Sequence, residues 1–218
     1  MSKEDLHIPD IIGCIDSKRL GATLVSTIGH HCDVWRSSRL VIHKGMAEAL
    51  DVVVKCHRQP CRFAEIRILA RDYGELKARL EDMVPATLFV ATTINDVDNV
   101  IAIAEAVQPW FNLANPTNEE EMIPLLRRLG WVRQQLQTFV DAARDWYRTG
   151  KLIDLYGLDN LVLDVNEQVK YIDSFNVFFY TDLLYLCDEA DAVLKERMDI
   201  SLRRLEYLEY TLRESGGP

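Results

Sequence analysis

Apolar and polar positions alternate from Leu24 to Ile42, a pattern that predicts two strands joined by a turn around Gly29 to Asp33. A loop is expected from His43 to Leu50, and the β-branched run Asp51 to Lys55 (DVVVK) then predicts a strand closed by a lysine. Between Cys61 and Asp82 the period changes. Ile66, Leu69, Tyr73, Leu76 and Leu80 recur at steps of three and four, the stripe of an amphipathic helix. Pro85 stops that helix, and Ala86 to Ile94 and Val100 to Val107 predict two further strands around the turn INDVDN. An antiparallel sheet with one helix is an α+β arrangement.

The pattern changes again after residue 107. Gln108 to Thr117 carries two prolines and little periodicity and reads as a linker. Asn118 is placed to cap a helix opened by Glu119 to Glu121, with Pro124 in its early turns. Gly130 divides or kinks that helix from a longer one, in which Val132, Leu136, Phe139, Ala143 and Tyr147 share a face. After the turn RTGK come two short apolar runs, Leu161 to Leu163 and Val169 to Ile172, which predict a hairpin turning at Asp164 to Gln168. Asn176 to Glu214 is expected to be helical, with Leu183, Leu186, Ala190, Val193 and Leu194, then Met198, Leu202, Leu205, Leu208 and Leu212, as its apolar stripes. Residues 1–20 are mixed and polar, with a short element at Ile8 to Ile15, and residues 215–218 form a tail.

Composition adjusts this picture in three ways. With 218 residues, 48% of them apolar, the chain can build the core of one domain with two lobes. The net charge of −9 argues against general binding to nucleic acid or to anionic membranes. No run approaches the roughly 20 apolar residues of a membrane span, so a cytoplasmic location is the expectation. The five cysteines show no paired spacing, as suits reduced thiols; Cys56, His57 and Cys61 form at most half of a zinc site, with no second cluster to complete it.

The candidate chemistry lies in the hairpin. Asn160 immediately precedes its first strand and Asp173 follows its second, so the pairing of the strands sets the two side by side. Such a pair offers oxygens to a hard cation, since Mg²⁺ takes one or two protein ligands and completes its shell with water and phosphate. The plainer alternative is that both residues merely cap strand ends. Asp154 and Asp159 lie just upstream.

Taken in order, these features resemble the protein-kinase-like superfamily. VVVK is similar to that family's VAIK, AEIRIL to the helix carrying the lysine's glutamate partner, and DNLVLDVNEQVKYIDSF to the segment from the catalytic-loop asparagine to the DFG aspartate. The separation of thirteen between Asn160 and Asp173 matches the family's. The resemblance implies a bilobal fold: a β-sheet N-lobe over residues 1–107, a hinge at 108–117 and a reduced helical C-lobe over 118–218. It further implies ATP and Mg²⁺ as ligands, with Asn160 and Asp173 on the metal, Lys55 on the α- and β-phosphates and Glu65 orienting Lys55. Backbone groups from Glu105 to Val107 would read the adenine edge, and the turn at Gly29 would cover the phosphates. Asp154 would accept the proton of a hydroxyl acceptor.

This chain departs from the pattern at several places. Asp154 precedes Asn160 by six residues where the family has five, and LID replaces HRD, so the base is open between Asp154 and Asp159. DFG reads Asp173-Ser174-Phe175, the glycine loop keeps only Gly29, and no APE motif follows. Three functions follow: a compact kinase acting on a hydroxyl-bearing acceptor, a pseudokinase that binds nucleotide or a partner protein without turnover, and a structural module that binds a partner through the leucine-rich C-terminal helix.

Overall fold

The structure, a computed structural model, describes residues 22–26, 32–43, 46–182 and 192–216. Gly29 with residues 30 and 31 of the expected turn, the element at Ile8 to Ile15, and Leu183, Leu186 and Ala190 lie outside the described residues, whereas Cys32 and Asp33, expected in that turn, open a strand. The chain forms two compact units, Met1–Arg71 with Pro85–Ala106, and Asp72–Val84 with Val107–Pro218.

The first unit holds a five-stranded antiparallel sheet of β1 (Thr23–Ser26), β2 (Cys32–His43), β3 (Met46–His57), β4 (Thr87–Ile94) and β5 (Val97–Glu105). Its order is β1-β2-β3-β5-β4. Trp35, Val54, Cys56 and Ile101 pack with Ala22 into its apolar cluster, with Leu24, Val90, Ile94 and Ile103 against it. The loop expected from His43 to Leu50 is instead mostly strand. The register from Cys32 opposite His57 continues out to His43 opposite Met46. Leu40 and Ile42 are 77% and 82% exposed on that extension, so the backbone ladder, not core burial, carries it.

Across its base Arg36 forms an ion pair with Asp51, which also accepts the Ser38 hydroxyl. The hydrogen bonds from Arg36 and Ser38 hold the Asp51 carboxyl down at about 2. The turn between β4 and β5 is tighter than INDVDN suggests. Asn95 and Asp96 both adopt left-handed φ, 52° and 61°, the conformation of a two-residue hairpin turn, so β5 begins at Val97.

Helix α1 (Phe63–Leu80) leads from the first unit into the second. Its whole predicted stripe, Ile66, Leu69, Tyr73, Leu76 and Leu80, is buried. A 3-10 turn at Glu81–Met83 completes the segment before Pro85.

The second unit contains β6 (Pro109–Asn112), α2 (Glu119–Arg128), α3 (Gly130–Arg148), β7 (Lys151–Ile153), β8 (Leu161–Asp164), β9 (Val169–Tyr171), β10 (Phe178–Tyr180) and α4 (Ala192–Ser215). The expected linker is therefore structured: β6 pairs with β8, and Pro109 sits at the strand's start, where a missing N–H is tolerated. Asn118 precedes α2 but its side chain makes no cap; its amide donates to the Asn112 carbonyl, while Asn115 caps the 3-10 turn before it by accepting the Thr117 N–H. On α3 the face shifts by one residue from that expected at its end. Trp146 is buried edge-on to Phe178, and Tyr147 is exposed with the Arg144 guanidinium over its ring.

The expected helix from Asn176 does not start there. Phe178–Tyr180 is a strand paired with β7, Phe178 opposite Ile153 and Tyr180 opposite Lys151, and its aromatic run supplies the β preference. Helix α4 packs on α2, α3 and β7. Met198, Leu205, Leu208 and Leu212 are buried on it as expected, whereas Val193 is 58% exposed. Arg144 on α3 pairs with Glu209, and Tyr210 donates to Glu119 at 3.0 Å, which fixes α4 against both neighbours. Among the described residues no helix is long and apolar enough to cross a membrane.

Candidate functional site

The hairpin of β8 and β9 is the part of the second unit on which polar side chains converge. Leu161 opposes Tyr171 and Leu163 opposes Val169, and the Ile172 N–H donates to the Asn160 carbonyl at 2.9 Å, which extends the ladder one step beyond the strands. The apolar side chains on both strands are fully buried, Val162 as well as Leu161 and Leu163, so β8 is enclosed on both faces. Its turn is fastened separately: the Asp164 carboxylate accepts the N–H groups of Asn166 and Gln168, both at 2.9 Å, and Glu167 takes the left-handed φ of 56°.

This register brings Asn160 beside Asp173. The Asn160 amide nitrogen lies 3.4 Å from Asp173 Oδ2 and 3.0 Å from the Asp154 carbonyl, to which it donates. A carbonyl can only accept, so it holds Asn160 Nδ2 toward itself and leaves Oδ1 on the side of Gly157. Asp173 Oδ1 accepts the Ser174 N–H at 2.7 Å, which orients the carboxylate. Gly157 makes room for this arrangement. A Cβ there would stand 2.3 Å from Asn160 Oδ1, so any other residue would push the amide away.

Asp154 follows β7 and is 2% exposed. Its Oδ1 accepts the Tyr156 N–H at 2.7 Å, and its Oδ2 accepts from the Arg197 guanidinium of α4 at 3.1 Å. The Tyr171 hydroxyl donates to its carbonyl at 2.9 Å; burial, with Asp173 and Asp154 nearby, holds that phenol well above its usual range, so it remains a donor. Burial and then the Asp173 charge raise the Asp154 carboxyl to about 6, against the smaller opposing effects of the Tyr156 N–H and Arg197. The folded protein therefore holds this proton more tightly than the unfolded chain.

The resulting stabilisation is complete below the unfolded value of 3.8 and is lost as pH rises through about 6. Its size is on the order of 3 kcal/mol. Asp154→Asn does not titrate, so its melting temperature relative to the unsubstituted protein is expected to climb by roughly 5 to 10 °C between about pH 4 and about pH 7. A difference that stays flat over that range, followed by circular dichroism, would contradict the raised value.

Asp159 stands apart from this group. It is exposed and accepts from the Asn112 amide at 2.9 Å.

In the first unit, Lys55 lies inside β3, opposite Val34 and Ala102, and is 8% exposed; it does not end the strand. The pairing expected of Glu65 is not the one it makes. Glu65 is exposed in the first turn of α1, where its carboxylate accepts the Arg62 N–H at 2.6 Å, a position favoured by the orphan N–H groups and the helix dipole. Glu105 ends β5, its N–H donating to Ala86 and its carboxylate accepting the Ala86 N–H, both at 3.0 Å. The Ala106 N–H is likewise taken, by the Asp51 carbonyl. Neither donor remains for an adenine edge. Val107, half-buried, begins the long segment of the second unit.

Cys56 and Cys61 are buried and outside any disulfide, and His57 Nδ1 lies 2.9 Å from the Gln59 carbonyl. Among the described residues no group of three or more His, Cys, Asp and Glu side chains is arranged to hold a metal ion. Five residues that sequence patterns did not single out therefore complete the site: Gly157, Tyr171, Arg197, Ser201 and Arg204. The last three fall at steps of four and three on a helix that carries many other charged residues, so their spacing alone did not mark them. No protein-family model matches the chain, and no curated protein matches it.

Proposed function

We propose that this chain is a compact phosphotransferase of the protein-kinase-like type, holding a Mg²⁺-nucleotide on Asn160 and Asp173. The observation that carries the reading is the juxtaposition of Asn160, Asp173 and Asp154 by one hairpin and the end of β7. The donor set suits a hard cation with phosphate: one carboxylate and one amide oxygen, with room kept by Gly157. Mg²⁺, when bound with nucleotide, supplies neutralisation of phosphate charge. The division into a mostly β unit containing Lys55 and a mostly helical unit containing the hairpin supports the same reading.

In the transfer, the acceptor hydroxyl oxygen forms a bond to the γ-phosphorus, the bond from that phosphorus to the β-bridging oxygen breaks, and ADP leaves. Asp154 takes the hydroxyl proton. A carboxylate raised to about 6 is still mostly ionised at neutral pH and is a better base than an ordinary one.

A second reading has its own support. Asp154 is buried against Arg197 and Tyr156, and the loop to Asn160 is one residue longer than in active kinases, both of which suit a module that binds nucleotide without turnover. Thermal denaturation with millimolar ATP, with and without Mg²⁺, tests the shared premise. A rise in melting temperature that requires both is expected, and its absence sinks both readings. Release of ADP then separates the enzyme from the binding module.

A further inference from the structure

One face of α4 is devoted to the segment that follows β7. Arg197 donates to the Asp154 carboxylate at 3.1 Å, Ser201 Oγ accepts the Leu155 N–H at 3.1 Å, and Arg204 donates to the carbonyls of Leu155 and Tyr156. Steps of four and then three place all three on one side of the helix, one above the other. Each therefore meets a successive part of the same short loop. The Arg197 guanidinium is held further by the rings of Tyr156 and Phe179, 5.3 and 5.1 Å from their centres. Beneath lies an apolar anchor of Leu152, Phe179 and Met198, with Leu194 and Leu202 packed against it.

Ser201 is fully buried, and the Arg197 side chain is only 14% exposed. Polar groups so enclosed are costly unless matched, and here the Ser201 hydroxyl and one terminal nitrogen of Arg197 are matched to the loop. The loop itself has no regular secondary structure and leaves the Leu155 N–H and the two carbonyls in need of partners. Without α4 the loop would lose these partners, and the Asp154 carboxylate would keep the Tyr156 N–H on Oδ1 but lose Arg197 on Oδ2.

We propose that Arg197 is a positioning residue that fixes the Asp154 carboxylate toward the acceptor, with Ser201 and Arg204 bracing the loop behind it. The inference rests on the phosphotransferase reading above. A carboxylate must stand within hydrogen-bond reach of the proton it takes, and a misplacement of about 1 Å costs about 100-fold. The Arg197 contact acts on Asp154 Oδ2, while Tyr156 holds Oδ1, so the carboxylate plane is set from two sides. The Arg197 contact is to the Asp154 carboxylate, whereas Asn160 is held by the Asp154 backbone carbonyl.

The test uses steady-state ATP hydrolysis, with water as acceptor, on the full chain. Arg197→Gln is expected to lower kcat by about 10- to 100-fold while KM for ATP and the melting-temperature rise with Mg-ATP are retained. Arg197→Lys, which keeps the charge but not the planar fork, is expected to fall between the two. Equal kcat in the unsubstituted and Gln proteins overturns the inference, as does a parallel change in kcat and KM.

Should Arg197→Gln fail to fold, the lysine variant decides: a kcat reduced at unchanged KM supports the assignment, and an unchanged kcat removes it. An unsubstituted protein that binds Mg-ATP but hydrolyses none overturns the positioning role and leaves the nucleotide site standing. One that binds none overturns the phosphotransferase reading itself.

Discussion

Asp173→Ala is expected to abolish the rise in melting temperature that Mg-ATP produces. A ligand at about 100 times its Kd stabilises a protein by about 2.7 kcal/mol, which for a chain of this size is roughly 5 to 10 °C. Removing the single carboxylate of the cation pair is expected to weaken Mg-ATP by about 100-fold or more, which erases that rise. The variant should still fold. Asp173 accepts only the Ser174 N–H, a 3.4 Å contact from the Phe175 N–H and the long contact from Asn160, and its charge opposes ionisation of Asp154.

Gly157→Ala provides a gentler companion. Its Cβ would meet Asn160 Oδ1 at 2.3 Å, so the amide must move and affinity is expected to fall by roughly 10-fold. Calorimetric titration of Mg-ATP into each variant measures both effects. Asp173→Ala binding as tightly as the unsubstituted protein would exclude the pair as the cation site.

Asp154→Asn is expected to lower turnover by about 10²- to 10⁴-fold while leaving Mg-ATP binding in place. Asp159→Asn is expected to leave turnover within about twofold. The distinction follows from placement. Asp154 shares its surroundings with Asp173, Asn160 and Arg197, whereas Asp159 is exposed and engaged by Asn112 on β6. kcat/KM, which reports the free enzyme, should also rise with pH through about 6, where Asp154 ionises in the metal-free protein. ADP release measured for both variants across pH decides the matter; loss of activity in Asp159→Asn alone would move the base to that residue.

The legible parts of this site were those that depend on local pairing. Two short apolar runs separated by a turn specify a hairpin, and a hairpin brings the residues before its first strand near those after its second. Asn160 and Asp173 could be placed near each other on that ground, although the register sets Asn160 opposite Ile172, one residue short of Asp173. Glu65 could not be placed so, because its partner depends on which way the first turn of α1 faces. In the structure the nearby Arg62 N–H, three residues back, takes the carboxylate. Similarly, β10 was hidden inside an apparent helix, since FNVFFY fits a helix stripe until β7 is available to pair with it.

What the sequence by itself determined is the order and type of most elements and the one hairpin that assembles the polar pair, because periodicities of 2 and 3.6 are written in the spacing of apolar residues. Only the tertiary structure decided where the side chains find their partners. It turned the polar stripe of α4 onto the Asp154 loop, left Asp159 at the surface, and made Gly157 a necessity. The first two depend on residues 40 or more positions apart in sequence, as with Arg197 and Asp154 at 43, which no local pattern encodes; Gly157 answers to Asn160 three residues on, through the way their loop is folded.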